Sequence, residues 1–288
     1  MNSQRFWRST DMPFIEARDV GDGRAVCYER HSHETFSIGA ITGGCSTYVN
    51  GALSEQVEEG TVVIMNPGEV HACNPCDGQP WSYLMLYVDA QWLAGLQDEC
   101  GVGPGFRPLP LALSRDPSLY AGLCALYATL VDTDTDLLYK ESAVTAFFGG
   151  LVAQSGAATT PPASENPRLT RAAEYISAHC TQALRLDDIC KAAGLSPSYL
   201  IRAFKARYAM TPHECLINSR IQFGRAELRR GMPIASVAAA AGFADQAHFN
   251  RAFKRLVAAT PGQYRCPSQQ TPERAADAHA EDDPRSKP

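Results

Sequence analysis

The chain carries one helix–turn–helix signature twice, 49 residues apart, and this repeat limits its fold more than any other feature. The later copy is Gly242-Phe243-Ala244-Asp245-Gln246-Ala247-His248-Phe249-Asn250-Arg251-Ala252-Phe253-Lys254-Arg255, followed by Thr260-Pro261. The earlier copy is Gly194-Leu195-Ser196-Pro197-Ser198-Tyr199-Leu200-Ile201-Arg202-Ala203-Phe204-Lys205, followed by Thr211-Pro212. Leu200 aligns with Phe249, Arg202 with Arg251, Phe204 with Phe253 and Lys205 with Lys254. In each copy a glycine supplies the sharp turn, because it tolerates positive φ. The apolar pair at i and i+4 then packs inward and turns the polar residues outward. Leu186–Ala193 reads as the helix before the first turn, with Asp187 and Asp188 where the helix dipole favours acids. Ile234, Val237 and Ala238 anchor its counterpart. Between the units, Thr211-Pro212 opens an amphipathic helix that closes near Gly231, with Leu216, Ile217, Ile221 and Leu228 on its buried side. Roughly eighteen residues at ~1.5 Å rise make a rod of about 27 Å. That is close to the ~34 Å between successive turns of a major groove.

A duplicated unit whose second helix is polar and basic is a device for reading DNA. The pattern resembles the DNA-binding domain of the AraC/XylS family of bacterial transcription regulators over roughly Pro167 to Arg265. The outward residues Ser198, Ile201, Arg202 and Lys205 of the first unit are candidate DNA-binding residues. So are Gln246, Ala247, Asn250, Arg251, Lys254 and Arg255 of the second. Asn and Gln can bond adenine bidentately and Arg can bond guanine, each worth ~1–3 kcal/mol of discrimination. Arg202 and Arg251 are open between base and phosphate, whereas Lys205, Lys254 and Arg255 suit phosphates. The chain departs from the family pattern at Ala244, where a serine cap is usual, so Asp245 is expected to cap. Ala209 and Ala258 stand where glycine usually precedes the Thr-Pro.

A length of 288 residues suits two domains, and an apolar fraction of 45% is ample for their cores. The net charge of −5 hides an asymmetry. Residues 1–165 hold 8 basic and 20 acidic side chains, whereas residues 166–266 hold 15 basic and 6 acidic ones. A basic block joined to an acidic one fits a nucleic-acid module fused to another domain. No apolar run is long enough to span a bilayer. No signal peptide is evident, so the expected location is the cytoplasm. The ten cysteines are expected to be reduced thiols, and Cys73-Asn74-Pro75-Cys76 is a weak metal or redox signal.

The first half reads as short strands: Ala25–Glu29, Thr35–Ile41, Cys45–Val49, Thr61–Met65 and Tyr83–Val88. Turn signals at Thr42-Gly43-Gly44, Asn50-Gly51, Glu58-Glu59-Gly60, Asn66-Pro67-Gly68 and Asp77-Gly78 separate them, which suggests a barrel or sandwich. The order His31-x-His33, Gly60, then Asn66-Pro67-Gly68-Glu69-Val70-His71 resembles the small cupin barrel that forms the sensor half of many AraC-type regulators. After Pro117 the period becomes helical. Leu119, Leu123, Leu126, Tyr127 and Leu130 share one face, and Ala143, Ala146, Phe147, Gly150, Leu151 and Gln154 form a second stripe. The resemblance implies that this helix pair mediates dimerisation.

The expected fold is therefore α+β in two domains. A cupin-like effector-sensing and dimerisation domain spans 1–154, a linker 155–166 and an all-α double helix-turn-helix domain 167–266, with a disordered tail at 267–288. The expected function is sequence-specific transcription regulation controlled by a small molecule in the barrel, with no catalytic residue and no cofactor. His31 and His33 on a strand would share one face. With His71, three histidines could converge on Zn²⁺ or Fe²⁺. Metal cupins, however, usually carry a glutamate four to five residues beyond the His-x-His, where Ser37 and Ile38 stand here. His31, His33 and His71 are therefore assigned to ligand binding without a metal. A metal-dependent cupin enzyme fused to a DNA-binding domain is the alternative, and purely structural histidines are a third reading. The expected partners are double-stranded DNA, an unidentified effector, a second copy of the chain and RNA polymerase, with no membrane.

Overall fold

The computed structural model describes residues 4–24, 26–155 and 166–265, apart from the side chains of Asp77, Ser155 and Ser198. Nearly all of the expected linker and the whole expected tail lie outside these residues. Strands β1 (Gln4–Arg8), β2 (Ile15–Val20), β3 (Phe36–Asn50), β4 (Leu53–Glu58), β5 (Val62–Met65), β6 (His71–Pro75), β7 (Trp81–Val88) and β8 (Leu113–Ser114) build the first half. They run antiparallel in the order β1-β2-β7-β3-β5-β8, with β4 and β6 also paired to β3. Helices α1 (Ala90–Glu99), α2 (Pro117–Val131) and α3 (Leu137–Ser155) follow.

The sheet is organised by β3, which the sequence divides into two runs with a turn between them. The turn is instead a β-bulge between Ile41 and Gly43, after which Gly43 and Gly44 go on to pair with Ser82 and Trp81. A bulge bends its strand. The first half of β3 pairs with β5 and β7, and the second with β4 and β6. Three further expectations need correction. Val26–Glu29 is not a strand. Strands β1, β2, β4, β6 and β8 and helix α1 have no counterpart among the expected elements of this half. Cys76 is disulfide-bonded to Cys45, with the Cα atoms 5.7 Å apart. The β3–β6 register, which sets Ser46 opposite Pro75, brings these two cysteines together.

Alternation sorts the strands into two buried faces. Phe36, Ile38, Val62, Ile64 and Leu86 pack against Leu123, Leu126 and Leu130 of α2 and Val144, Phe148, Leu151 and Val152 of α3. The intervening Ile41, Val63, Met65, Tyr83 and Met85 close with Tyr48 and Trp81 around the barrel interior. β5 is buried along its whole length, so it reads as an unbroken apolar run rather than an alternating one. The stripe on α3 is rotated from the expected one. Ala146, Gly150 and Gln154 are exposed, while Val144, Phe148 and Val152 join Leu151 in the core.

The second half is all helical: α4 (Pro167–Ala178), α5 (Leu186–Ala193), α6 (Pro197–Tyr208), α7 (Pro212–Arg229), α8 (Ile234–Ala240), α9 (Gln246–Val257) and α10 (Pro261–Arg265). It has two cores. Leu169, Ile176, Ile189, Leu200 and Phe204 form one, together with Leu216 of α7. Val237, Phe249, Phe253 and Tyr264 form the other, together with Ile217, Ile221 and Leu228 of α7. A single helix thus feeds both cores and fixes the two units relative to each other. Gly194 and Gly242 end α5 and follow α8 at φ 64° and 76°, where a Cβ is disfavoured. A Cβ on Gly242 would also meet the Thr181 carbonyl oxygen at 2.7 Å. Among the described residues, no helix is long and apolar enough to cross a membrane.

Candidate functional site

The two second helices present the sequence-expected faces. In α6, Leu200 and Phe204 are fully buried, which leaves Ile201, Arg202 and Lys205 exposed. Ser198 lies in the first turn of α6, and its side chain is outside the described residues. In α9, Asp245 is the cap, accepting the His248 amide at 2.6 Å. Phe249 and Phe253 point inward, and Gln246, Ala247, Arg251 and Lys254 are exposed. Asn250 is half-buried, and its Oδ1 accepts no hydrogen bond from the described residues. Arg255 differs from the rest. It lies against the barrel domain, 3.5 Å from the Glu29 carboxylate, and its carbonyl accepts the Glu29 amide at 3.1 Å.

That contact belongs to a junction which the sequence did not announce. Helix C-termini leave carbonyls unsatisfied, and the barrel supplies donors for those of α9. Arg18 donates to the Val257 carbonyl at 2.9 Å, and Gln4 donates to that of Ala258 at 2.9 Å. Arg18 is buried, and it also donates to the Tyr28 hydroxyl at 2.6 Å and to Gln4 Oε1 at 2.9 Å. Its charge sits where the α9 dipole favours a cation. Glu16 is also buried. It accepts from Arg8 at 2.8 Å and from the Tyr264 hydroxyl at 3.3 Å, and lies 3.8 Å from Arg225 and 3.7 Å from Arg229. Burial alone would raise the Glu16 pKa, but the surrounding guanidiniums outweigh it and hold the carboxyl below its usual range. Phe6 of β1 joins the core of the second helical unit and packs edge-on against Tyr264 at 5.4 Å.

Next to this junction the structure brings His31, His33 and His71 together. His31 and His71 form a backbone bridge, with N–H···O distances of 3.1 and 2.9 Å, and the Gly68 amide donates to the His33 carbonyl at 2.9 Å. His31 and His33 therefore converge from a loop with one bridge, not from a regular strand. All three are buried, and one nitrogen from each lies within 4.8 Å of the others. Burial first, then nearby positive charge, holds His31 and His33 well below the ordinary imidazole range. Burial also lowers His71 to about 4. The rings line one end of the barrel interior, beside Tyr28, Tyr48, Trp81, Tyr83, Met85 and Tyr87, around about 30 Å³ of free space. Ser32 ties this end to α7. Its amide donates to Asn218 Oδ1 at 3.3 Å, its hydroxyl accepts from Asn218 Nδ2 at 3.2 Å, and its carbonyl accepts from Gln222 at 3.0 Å.

Comparison with known proteins agrees with this architecture. Residues 17–148 match the model of an AraC-like ligand binding domain, and residues 189–266 match a helix-turn-helix domain. The chain is 26% identical over 230 residues to the HTH-type transcriptional regulator YbfI of Bacillus subtilis, covering 77% of this chain and 81% of that one. It is 24% identical over 256 residues to the raffinose operon transcriptional regulatory protein RafR of Pediococcus pentosaceus, covering 84% and 91%. In fold it is similar to ToxT of Vibrio cholerae O395, with a TM-score of 0.57 and 12% identity over 91% of this chain and 96% of that one. ToxT has also been solved with an unsaturated fatty acid bound. The chain belongs to the AraC family of transcription regulators, with a ligand-binding barrel and a helix-turn-helix DNA-binding domain.

Proposed function

We propose that one chain reads two successive major-groove segments with α6 and α9, and that barrel occupancy changes the barrel's hold on α7 and α9. The observation that carries this reading is the pair of polar helix faces carried on one shared α7. Ser198, Ile201, Arg202 and Lys205 contact one segment, and Gln246, Ala247, Asn250, Arg251 and Lys254 the other. Arg255 engages DNA only if the barrel releases it from Glu29. The domain limits are 1–154 for the sensor and 167–266 for the DNA reader. The protein acts in the cytoplasm, recruits or blocks RNA polymerase, and carries out no reaction of its own. The test is selection from a random duplex library with the full chain. A sequence with two conserved blocks about one helical turn apart supports the reading, and failure to enrich any sequence at low salt contradicts it.

Self-association is assigned to the start of α3. Leu138 and Tyr139 are 72% and 61% exposed there, next to Leu137 at 42%. This apolar cluster stands clear of the barrel core, unlike Leu151, which is part of it.

A further inference from the structure

We propose that His31, His33 and His71 bind a divalent transition-metal ion of the zinc class, and that its occupancy sets the barrel's grip on α7. The regulatory half rests on the DNA-binding reading above; the site itself does not.

Tautomers provide the first argument. Nδ1 of His31 lies 2.9 Å from the Glu29 carbonyl, that of His33 2.9 Å from Thr35, and that of His71 2.9 Å from Glu69. A carbonyl can only accept, so each Nδ1 bears the proton and each Nε2 keeps its lone pair. This is the outer-sphere arrangement that orients metal-ligating histidines. A tetrahedral ion at ~2.0–2.1 Å from each ligating nitrogen sets them about 3.3 Å apart, and one nitrogen of each ring already lies within 4.8 Å of the others, so small ring movements complete the site. The space of about 30 Å³ holds an ion with a small ligand, whereas a metabolite would have to displace side chains.

Two features oppose a bare dication. Arg18 and Arg225 line the adjoining space with His31 and His33. Glu16, 3.8 Å from Arg225, takes up part of that positive charge, and an anionic fourth ligand such as hydroxide would lower the charge of the ion itself. The Ser37 hydroxyl, 3.3 Å from His33 Nε2, turns aside when the ion binds. Ser32 lies between two of the ligands and is held by Asn218 and Gln222 of α7. Drawing the rings together therefore pulls on the helix shared by both DNA-reading units. The glutamate that this chain lacks argues against a metal at the level of sequence, because spacing alone does not reveal the three protonated Nδ1 atoms.

The experiment uses chelator-treated full-length protein titrated with Co²⁺, followed by displacement with Zn²⁺. One saturable equivalent with visible ligand-field bands is expected, lost in His33→Gln and in His71→Gln while the far-UV spectrum is unchanged. Zinc X-ray absorption on the unsubstituted protein gives an independent reading. About three imidazole nitrogens at ~2.0–2.1 Å support the site, and thiolate in the shell overturns it. Zn²⁺ is further expected to shift affinity for the selected duplex on the order of 5-fold or more. That shift should collapse in Asn218→Ala/Gln222→Ala, which still binds Co²⁺. No stoichiometric Co²⁺ binding, or binding that survives both histidine substitutions, overturns the site. An unchanged shift in the α7 variant overturns the coupling. Metal binding without any DNA binding would leave the site standing and contradict the regulator reading.

Discussion

At the scale of single residues, side-chain chemistry rather than exposure distinguishes the proposed readers of sequence from the proposed holders of phosphate. Arg251 and Lys254 are both exposed on α9, yet a guanidinium can address guanine bidentately while an ammonium acts as a point charge. Arg251→Ala is expected to relax sequence preference within one block, at a cost of about 1–3 kcal/mol, and Lys254→Ala to weaken all sequences alike. Binding across a randomised operator separates the two, and an unchanged preference in Arg251→Ala would remove its base-reading role. Glu16 is the second residue of consequence. Its folded pKa lies below the ordinary value of 4.5, so its stabilisation is complete above that value and is lost as pH falls through the depressed pKa. Acid below about pH 4.5 should loosen the junction, and Glu16→Gln should cost about 3–5 kcal/mol by leaving buried guanidiniums uncompensated. Limited proteolysis against pH reports it; a junction equally protected at pH 3 and pH 7 would contradict the assignment.

At the scale of elements, the two glycine turns obey local rules and the two alanine caps break them. Ala209 and Ala258 end α6 and α9 at φ 54°, a left-handed geometry that favours glycine. Ala209→Gly and Ala258→Gly are each expected to leave stability unchanged or raise it by up to about 1 kcal/mol. Thermal unfolding of the full chain measures this, and a loss above that size would show that the methyl packs usefully. These positions also show what the sequence could tell. The repeat exposed α5, α6, α8 and α9 because turn glycines and inward aromatics are local signals. The strands β1 and β2 gave no such signal. Arg5, Arg8, Glu16, Arg18 and Asp19 make them read as polar surface, yet Glu16 and Arg18 are buried. Besides near neighbours, their partners lie on α7, α9 and α10, more than two hundred residues away. The histidine trio was visible as residues, but its backbone bridge and tautomers were not. The period of α3 was visible, whereas its phase depends on the shape of the sheet beneath it.

At the scale of the whole molecule, the barrel and the DNA reader share a polar junction rather than a bare tether. The barrel caps the C-terminus of α9 and holds the middle of α7, the helix whose Leu216 shares a core with Leu200 and Phe204 of α6. Self-association belongs to the same scale. Leu138→Asp with Tyr139→Asp is expected to abolish dimers of the full chain in sedimentation while leaving the barrel folded, because both side chains are exposed. A double variant that still dimerises would move the interface elsewhere. The central claim is that α6 and α9, held on one α7, read successive major grooves on one face of DNA. Hydroxyl-radical footprinting with methylation interference on the selected duplex tests it most directly. The expected result is two major-groove contact blocks per protomer on the same face, centred about 10–10.5 base pairs apart. A single block, or two blocks on opposite faces of the duplex, would contradict it.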